Sequence, residues 1–478
     1  MDTASVQFVL FGLAAAAISN FSRSSVWRSA VLMTASLIFL ALLDHHPTAF
    51  IPLAGFLLLG YAGLYLIREG WSKSLVWTLC AVIFAYAWLK KYTVLPEGIF
   101  ISSPYFTIGL SYIFFRVLHL LIEMADGGGN QSIEPEAYLL YTLNFTTLIS
   151  GPIQRYNEFA QDQFAAQPLM LGPRIVGLQL ERIVRGFFKV NVLAMLLLSA
   201  QEGALQDLQH SLSSSQKFLS ALLLAVVYPF FLYLNFSGYI DIVVAIARLM
   251  RIRLPENFDR PFSASSFLDF WNRWHITLST WLKTYVFNPL LLALMRRVSS
   301  LTVQPFLGVL CFFVTFFLIG VWHGRTSEFV VFGVLQGAGV AINKLWQIGL
   351  TSAMGRNGYK KLSSNFIYTA FGRGLTFTWF ALSLFWFWAH WQQIGMIVTA
   401  LSAAQWLGVW LSIWLLATAT LTAWEWLRAA MLEIKISGEP AVTSRYARVV
   451  YATAFGLVSL VFTVLLNQPP PVIVYKTF

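Results

Sequence analysis

Charge is what this sequence has least of. Of its 478 residues, 11% are Asp, Glu, Lys or Arg, where a soluble domain carries roughly 25%. No long polar stretch interrupts the chain, and 58% of it is apolar. With a mean hydropathy of +0.67, the chain reads as one built to be dissolved in lipid. The two cysteines, Cys80 and Cys311, exclude a disulfide framework and a thiolate metal site, and both are expected as small core residues. No internal repeat of clear period is present, which excludes solenoids. No GxSxG, Walker A or HExxH motif occurs, and no pair of carboxylates sits in an apolar frame. Acidic residues are outnumbered 21 to 32 by Lys and Arg, a net charge of +11. The basic residues lie in short loops between apolar runs, where they orient a chain in a bilayer and meet anionic lipid. Nucleic acid is not expected as a partner. The N-terminus, MDTASVQFVL, begins acidic and lacks a small-residue cleavage site, so its apolar run is expected to be a retained span.

What is present is a succession of apolar segments. They fall near residues 6–18, 31–43, 50–67, 75–89, 106–124, 190–198 and beyond, 218–246, 301–319, 329–348, 375–389, 396–423 and 449–466. Several are shorter than the ~20 residues that cross a bilayer, so they are tilted or the membrane is thinned around them. The chain is predicted to be an all-α polytopic membrane protein, a single domain over residues 1–478, with about 11 to 14 embedded segments. Arg23, Arg28, Arg68 and Lys73 put the first and third loops in the cytoplasm and the N-terminus outside. Arg116 and Glu123 are placed to pair. The turn at 124–132 is rich in Gly, and the Gly-Pro of SGPIQRYNEF (150–159) ends any helix before it. Arg174, Arg182, Arg185 and Lys189 recur at helical spacing and predict a basic amphipathic helix. Arg248, Arg251, Arg253 and Arg260 form a second basic cluster.

The chemistry is concentrated between 235 and 324. His323 stands in GVWHG after a long apolar run, with Gly320 and Gly324 admitting a close approach of backbone or substrate. A neutral imidazole in such a setting can accept a proton, as a general base for an alcohol must. His275 lies in FWNRWHITLSTW, among aromatic residues that read as one helix face. Two histidines at membrane depth, 48 residues apart in a chain with seven, point to a shared polar cavity. Asn235, Ser237, Asp241, Arg273, Trp274 and Trp322 are candidates to support it. In NFSGYID, Ser237 and Asp241 share a helix face, and Asp241 needs a partner such as Arg, His or a hydroxyl. His45-His46 is a lone pair in a loop and His390 an interface residue beside Trp386 and Trp388. No metal is expected.

The segments SGPIQRY, RIVRGFFKV, NFSGYID, LPENFDRPF, FWNRWHITLSTWL, GVWHG and the terminal VIVYKTF, in this order, resemble the membrane-bound O-acyltransferase family, most densely over residues 150–336. The resemblance is greatest to its bacterial branch of alginate O-acetylases and teichoic acid D-alanyl transferases. It implies that His323 is the catalytic histidine and His275 the assisting one. It implies a ring of tilted and re-entrant helices around a thinned centre, with an outer funnel and an inner tunnel. It implies a thioester donor, acyl-CoA or acyl-carrier phosphopantetheine, used as substrate with no resident cofactor. Further implied are a bacterial cytoplasmic (inner) membrane location, an acyl-carrier protein as cytoplasmic partner, and an extracytoplasmic acyltransferase or glycan-export partner. The product would be an acylated hydroxyl on an extracytoplasmic polysaccharide or envelope glycan, acetyl being the first choice of acyl group. Lys283-Thr284-Tyr285 stands where alginate-type members carry Arg-Asp-Tyr, so D-alanyl transfer stays open. Two other classes also stay open: a transporter or flippase in which the histidines and Asp241 relay protons, and a scaffold subunit of a polysaccharide synthase.

Overall fold

The computed structural model describes residues 5–69, 74–127, 132–210, 213–298, 300, 302–436, 439–466, 471 and 474. Residues 128–131 of the turn at 124–132 and all of the VIVYKTF motif but residue 474 lie outside the described residues. In chain order the helices are α1 (Val6–Ser19), α2 (Ser25–Leu43), α3 (Ile51–Arg68), α4 (Ser74–Leu89), α5 (Leu110–Asp126), α6 (Pro135–Thr142), α7 (Tyr156–Gln163), α8 (Pro173–Phe188), α9 (Met195–His210) and α10 (Ser214–Leu249). There follow α11 (Phe267–Trp271), α12 (Ile276–Leu282), α13 (Asn288–Arg297), α14 (Gln304–His323), α15 (Ser327–Ser363), α16 (Phe366–Ser383), α17 (Phe385–Trp388), α18 (Trp391–Thr399), α19 (Ala403–Glu433) and α20 (Arg445–Leu466). Strand structure among the described residues is confined to two-residue β1 (Lys435–Ile436) and β2 (Glu439–Pro440) and a single bridge between Phe258 and Trp274. The chain is therefore all-α. Among the described residues, eight helical stretches are long and apolar enough to cross a membrane, and α1 and α4 are shorter apolar helices.

By its contacts the chain divides into two compact units. The first comprises described residues within 1–190, 236–256 and 467–478. Its centre is α5, buried from Leu110 through Leu121. A helix leaves its last four carbonyls without intrahelical donors, and at the end of α6 two of these, at Tyr141 and Thr142, accept from Arg116 of α5. Its Nη1 donates to the carbonyls of Tyr141 (3.1 Å) and Thr142 (2.8 Å), and its Nη2 to that of Thr147 (2.6 Å). The expected Arg116–Glu123 pair is thus replaced. A planar guanidinium satisfies several carbonyls at once, while Glu123 lies 3.9 Å from His119 Nδ1. Near α1 and α2 the core is aromatic: Phe11 and Phe39 close on Phe145, and Phe8 packs on Phe39.

The second unit comprises described residues within 191–235 and 257–466. One of its cores joins α9, the first part of α10, α16, α18 and α19 through Leu208, Leu224, Phe377, Ile397, Leu401 and Ile413. The apolar run at 396–423, expected as one span, is two helices. Ser402 and Gln405 form a capping box that starts α19 afresh, each side chain meeting the other's backbone N–H. Cys311 is buried in α14 as expected, but Cys80 is exposed on α4. An apolar thiol facing outward is tolerated where the surroundings are lipid.

The α14–α15 hairpin carries His323 and is drawn tight by glycine. A side chain at Gly320 would run into the backbone of Gly333, and one at Gly324 into the ring of Phe329. The space at Gly320 therefore admits backbone, in the way small residues let membrane helices approach. Gly320→Leu is expected to destabilise by about 1–3 kcal/mol, the usual effect of overpacking. A thermal unfolding midpoint of the detergent-solubilised variant equal to that of wild type would contradict this packing.

Candidate active site

The helix expected through FWNRWHITLSTW is broken. α11 begins on a cap, with Ser266 Oγ accepting from Asp269 N at 3.2 Å, and ends at Trp271. α12 begins at Ile276. Between them His275 adopts the left-handed backbone region, φ 45° and ψ 51°, which a non-glycine residue occupies only when its surroundings over-determine it. The surroundings do so through the segment 257–259. Asp259 N donates to the carbonyl of Arg273 (3.0 Å) and Ile276 N to that of Asn257 (3.0 Å). Trp274, 1% exposed, anchors the break by packing on Phe258, Phe270 and Phe380. It is a core residue of an aromatic cluster. Arg273 turns to acidic partners, 3.0 Å from Asp269 Oδ1 and 3.8 Å from Asp259 Oδ2, and so fixes the loop. A π-helical turn, Lys283–Phe287, then joins α12 to α13.

This arrangement delivers His275 into the interior at 1% exposure. Its Nδ1 lies 3.3 Å from Asn257 Oδ1. His323 is the last residue of α14 and is 2% exposed. Three rings from three elements surround it: Trp322 (centroids 4.7 Å), Phe332 of α15 (6.0 Å) and Phe387 of α17 (5.1 Å). Both imidazoles are buried within the second unit. A histidine enclosed by apolar rings is kept in its neutral form, the form that can accept a proton.

Asp241 lies in the other unit. Arg182 Nε donates to its Oδ1 at 2.9 Å and Lys189 Nζ to its Oδ2 at 2.8 Å, while Arg185 reaches both oxygens at 3.4 Å. The three cations come from one face of the basic helix, at the i, i+3, i+7 spacing that puts side chains in register. Much of the charge expected to meet lipid is therefore turned onto a carboxylate. Arg182 also forks onto Glu256 at 2.7 and 2.6 Å, and Ser237 Oγ accepts weakly from Lys189 at 3.4 Å. Gly186 permits this crossing, since a side chain there would meet the carbonyl of Gly238 and Cβ of Asp241. Asn235 is fully buried on α10. Among the described residues no group of three or more His, Cys, Asp or Glu is arranged to hold a metal ion. Phe332, Phe387 and Asn257 are the site residues not singled out from sequence. Asn257 stands within the quoted LPENFDRPF segment, so its motif was visible while its role was not.

Residues 130–385 match the family model of membrane-bound O-acyltransferases, and the chain belongs to that family. It is a multi-pass membrane protein. Among its relatives, a teichoic acid D-alanyltransferase of Streptococcus thermophilus is 32% identical over 50% of this chain and 57% of the relative. A peptidoglycan O-acetyltransferase of Helicobacter pylori is 32% identical over 44% of this chain and 37% of the relative. A probable alginate O-acetylase of Pseudomonas fluorescens is 30% identical over 54% and 48%. The chain thus spans about half the length of these relatives, and the matched family segment contains both histidines.

Proposed function

We propose that this chain is a membrane O-acyltransferase that moves an acyl group, acetyl as the first choice, from a thioester to a hydroxyl of an extracytoplasmic polysaccharide or envelope glycan. The observation that carries this reading is His323, buried among aromatic rings at the end of α14, with a second buried imidazole, His275, in the same unit. The imidazole takes the proton of the acceptor hydroxyl as its oxygen attacks the thioester carbonyl carbon. The C–O bond forms and the C–S bond breaks. The proton passes from the imidazolium to the leaving thiolate, so an ester and a free thiol result and His323 returns to its neutral form. The aromatic surround keeps water from competing for the thioester.

The donor is acyl-CoA or an acyl group on the phosphopantetheine of a carrier protein, arriving from the cytoplasm as a substrate. Acceptor and any glycan-export partner lie on the far side of the bacterial cytoplasmic membrane, with the N-terminus outside. D-alanyl transfer from a carrier protein is the second reading, and the match to the teichoic acid D-alanyltransferase favours it. Mass spectrometry of envelope and secreted glycans from cells with and without this chain separates the two. Acetyl esters that vanish with the chain support the first, D-alanyl esters the second. Glycans of unchanged acyl content would overturn both.

A further inference from the structure

The second histidine has a protonation geometry that its neighbours dictate. We propose that Asn257 is a positioning residue that fixes the tautomer of His275, with the proton on Nδ1 and the lone pair on Nε2. This rests on the acyl-transfer reading and adds to it which way His275 works: its Nε2 offers a lone pair and not a proton.

The inference begins with the carboxamide. Asn257 is 0% exposed. Its main-chain carbonyl accepts from Ile276 N at 3.0 Å, and its side-chain Oδ1 accepts from Thr277 N at 3.1 Å and from Thr277 Oγ at 2.8 Å. A backbone N–H can only donate, so the amide atom facing it must be the oxygen. The flipped amide would set its NH2 against that N–H. His275 Nδ1 is 3.3 Å from the same oxygen, which has no proton to offer. The contact is a hydrogen bond only when Nδ1 carries the proton. A neutral imidazole has one such proton, so Nε2 carries the lone pair.

The same residue holds the backbone that aims the ring. Ile276 N and Thr277 N, the two amides that follow His275, are bound by the two oxygens of Asn257. They clamp the chain just past a residue at φ 45°, a conformation that needs outside support. Of the two roles open to His275, orienting a reactant or stabilising an oxyanion, the neutral ring supplies the first. An oxyanion needs a donor, and Nε2 of this tautomer is an acceptor. His275 therefore orients the hydroxyl that His323 deprotonates, or accepts a proton in relay from it.

The test is nitrogen NMR of the full chain in detergent, with ring-15N histidine and the His275 signals identified by their loss in His275→Gln. The wild-type spectrum is expected to show a protonated Nδ1 and an unprotonated Nε2. Asn257→Ala is expected to lose that preference, and Asn257→Asp, which keeps an acceptor oxygen, to retain it. A wild-type His275 protonated on Nε2 overturns the proposal without reference to any variant, and so does an unchanged tautomer in Asn257→Ala. In acylation assays Asn257→Ala is expected to lose about 10²-fold, the scale of a misplaced catalytic group, and Asn257→Asp to recover most of it. In a His275→Ala background Asn257→Ala is expected to cost nothing more. Losses that multiply would show that Asn257 does not act through His275. Because the spectrum needs no substrate, an inactive protein with the expected tautomer would refute acyl transfer and leave this inference standing.

Discussion

Acyl transfer in His323→Ala is expected to fall by about 10²- to 10⁴-fold, the contribution of a positioned general base, with the protein still folded in the membrane. The ring sits at the end of α14 and contacts Trp322, Phe332 and Phe387. Its removal takes away the proton acceptor but no hinge of the fold, since the α14–α15 hairpin is closed by Gly320 against Gly333. His323→Gln, which fills more of the same space and cannot serve as the base, is expected to be equally inactive. The check is thioester-dependent acylation in membranes holding equal amounts of wild-type and variant protein. A His323→Ala protein that acylates at near-normal rate would remove the base from the mechanism.

The second large effect falls on stability. Asp241→Ala leaves Arg182 and Lys189, both largely shielded from solvent, without the carboxylate that neutralises them. Breaking a buried pair from one side costs about 3–5 kcal/mol. We expect the lower end, about 3 kcal/mol, because Arg185 remains 53% exposed and Glu256 still holds Arg182. The expected result is a sharp drop in the amount of folded protein in the membrane. Protein that does fold should keep a turnover per molecule near wild type, since Asp241 belongs to the structural ion cluster. Normal abundance with abolished turnover would instead make Asp241 part of a proton relay, as the transporter reading requires.

The contrast between these two residues shows what sequence reveals. Span ends were legible because hydropathy sets them: the run at 6–18 is α1 (Val6–Ser19), that at 75–89 is α4 (Ser74–Leu89), and that at 218–246 is α10 (Ser214–Leu249). The burial of His323 and His275 was legible because ionisable groups inside apolar runs are rare and costly, and both are buried. Hidden were the facts that depend on distant residues. FWNRWHITLSTW has the apolar spacing of a continuous helix, and nothing local announces a left-handed histidine at its centre. That conformation is imposed by Asn257, 18 residues earlier. Phe387, which faces His323, comes 64 residues after it. Arg116 and Glu123 looked like a pair because opposite charges seven apart share a face. The carbonyls at the end of α6 claimed the guanidinium instead.

The most direct measurement of the central claim is the acyl content of envelope and secreted glycans in three strains: one lacking this chain, one restored with wild type, and one restored with His323→Ala at matched membrane abundance. The account predicts glycan esters in the wild-type strain alone, with the His323→Ala strain indistinguishable from the strain that lacks the chain. Full ester content in the His323→Ala strain, or equal content in all three, would contradict it.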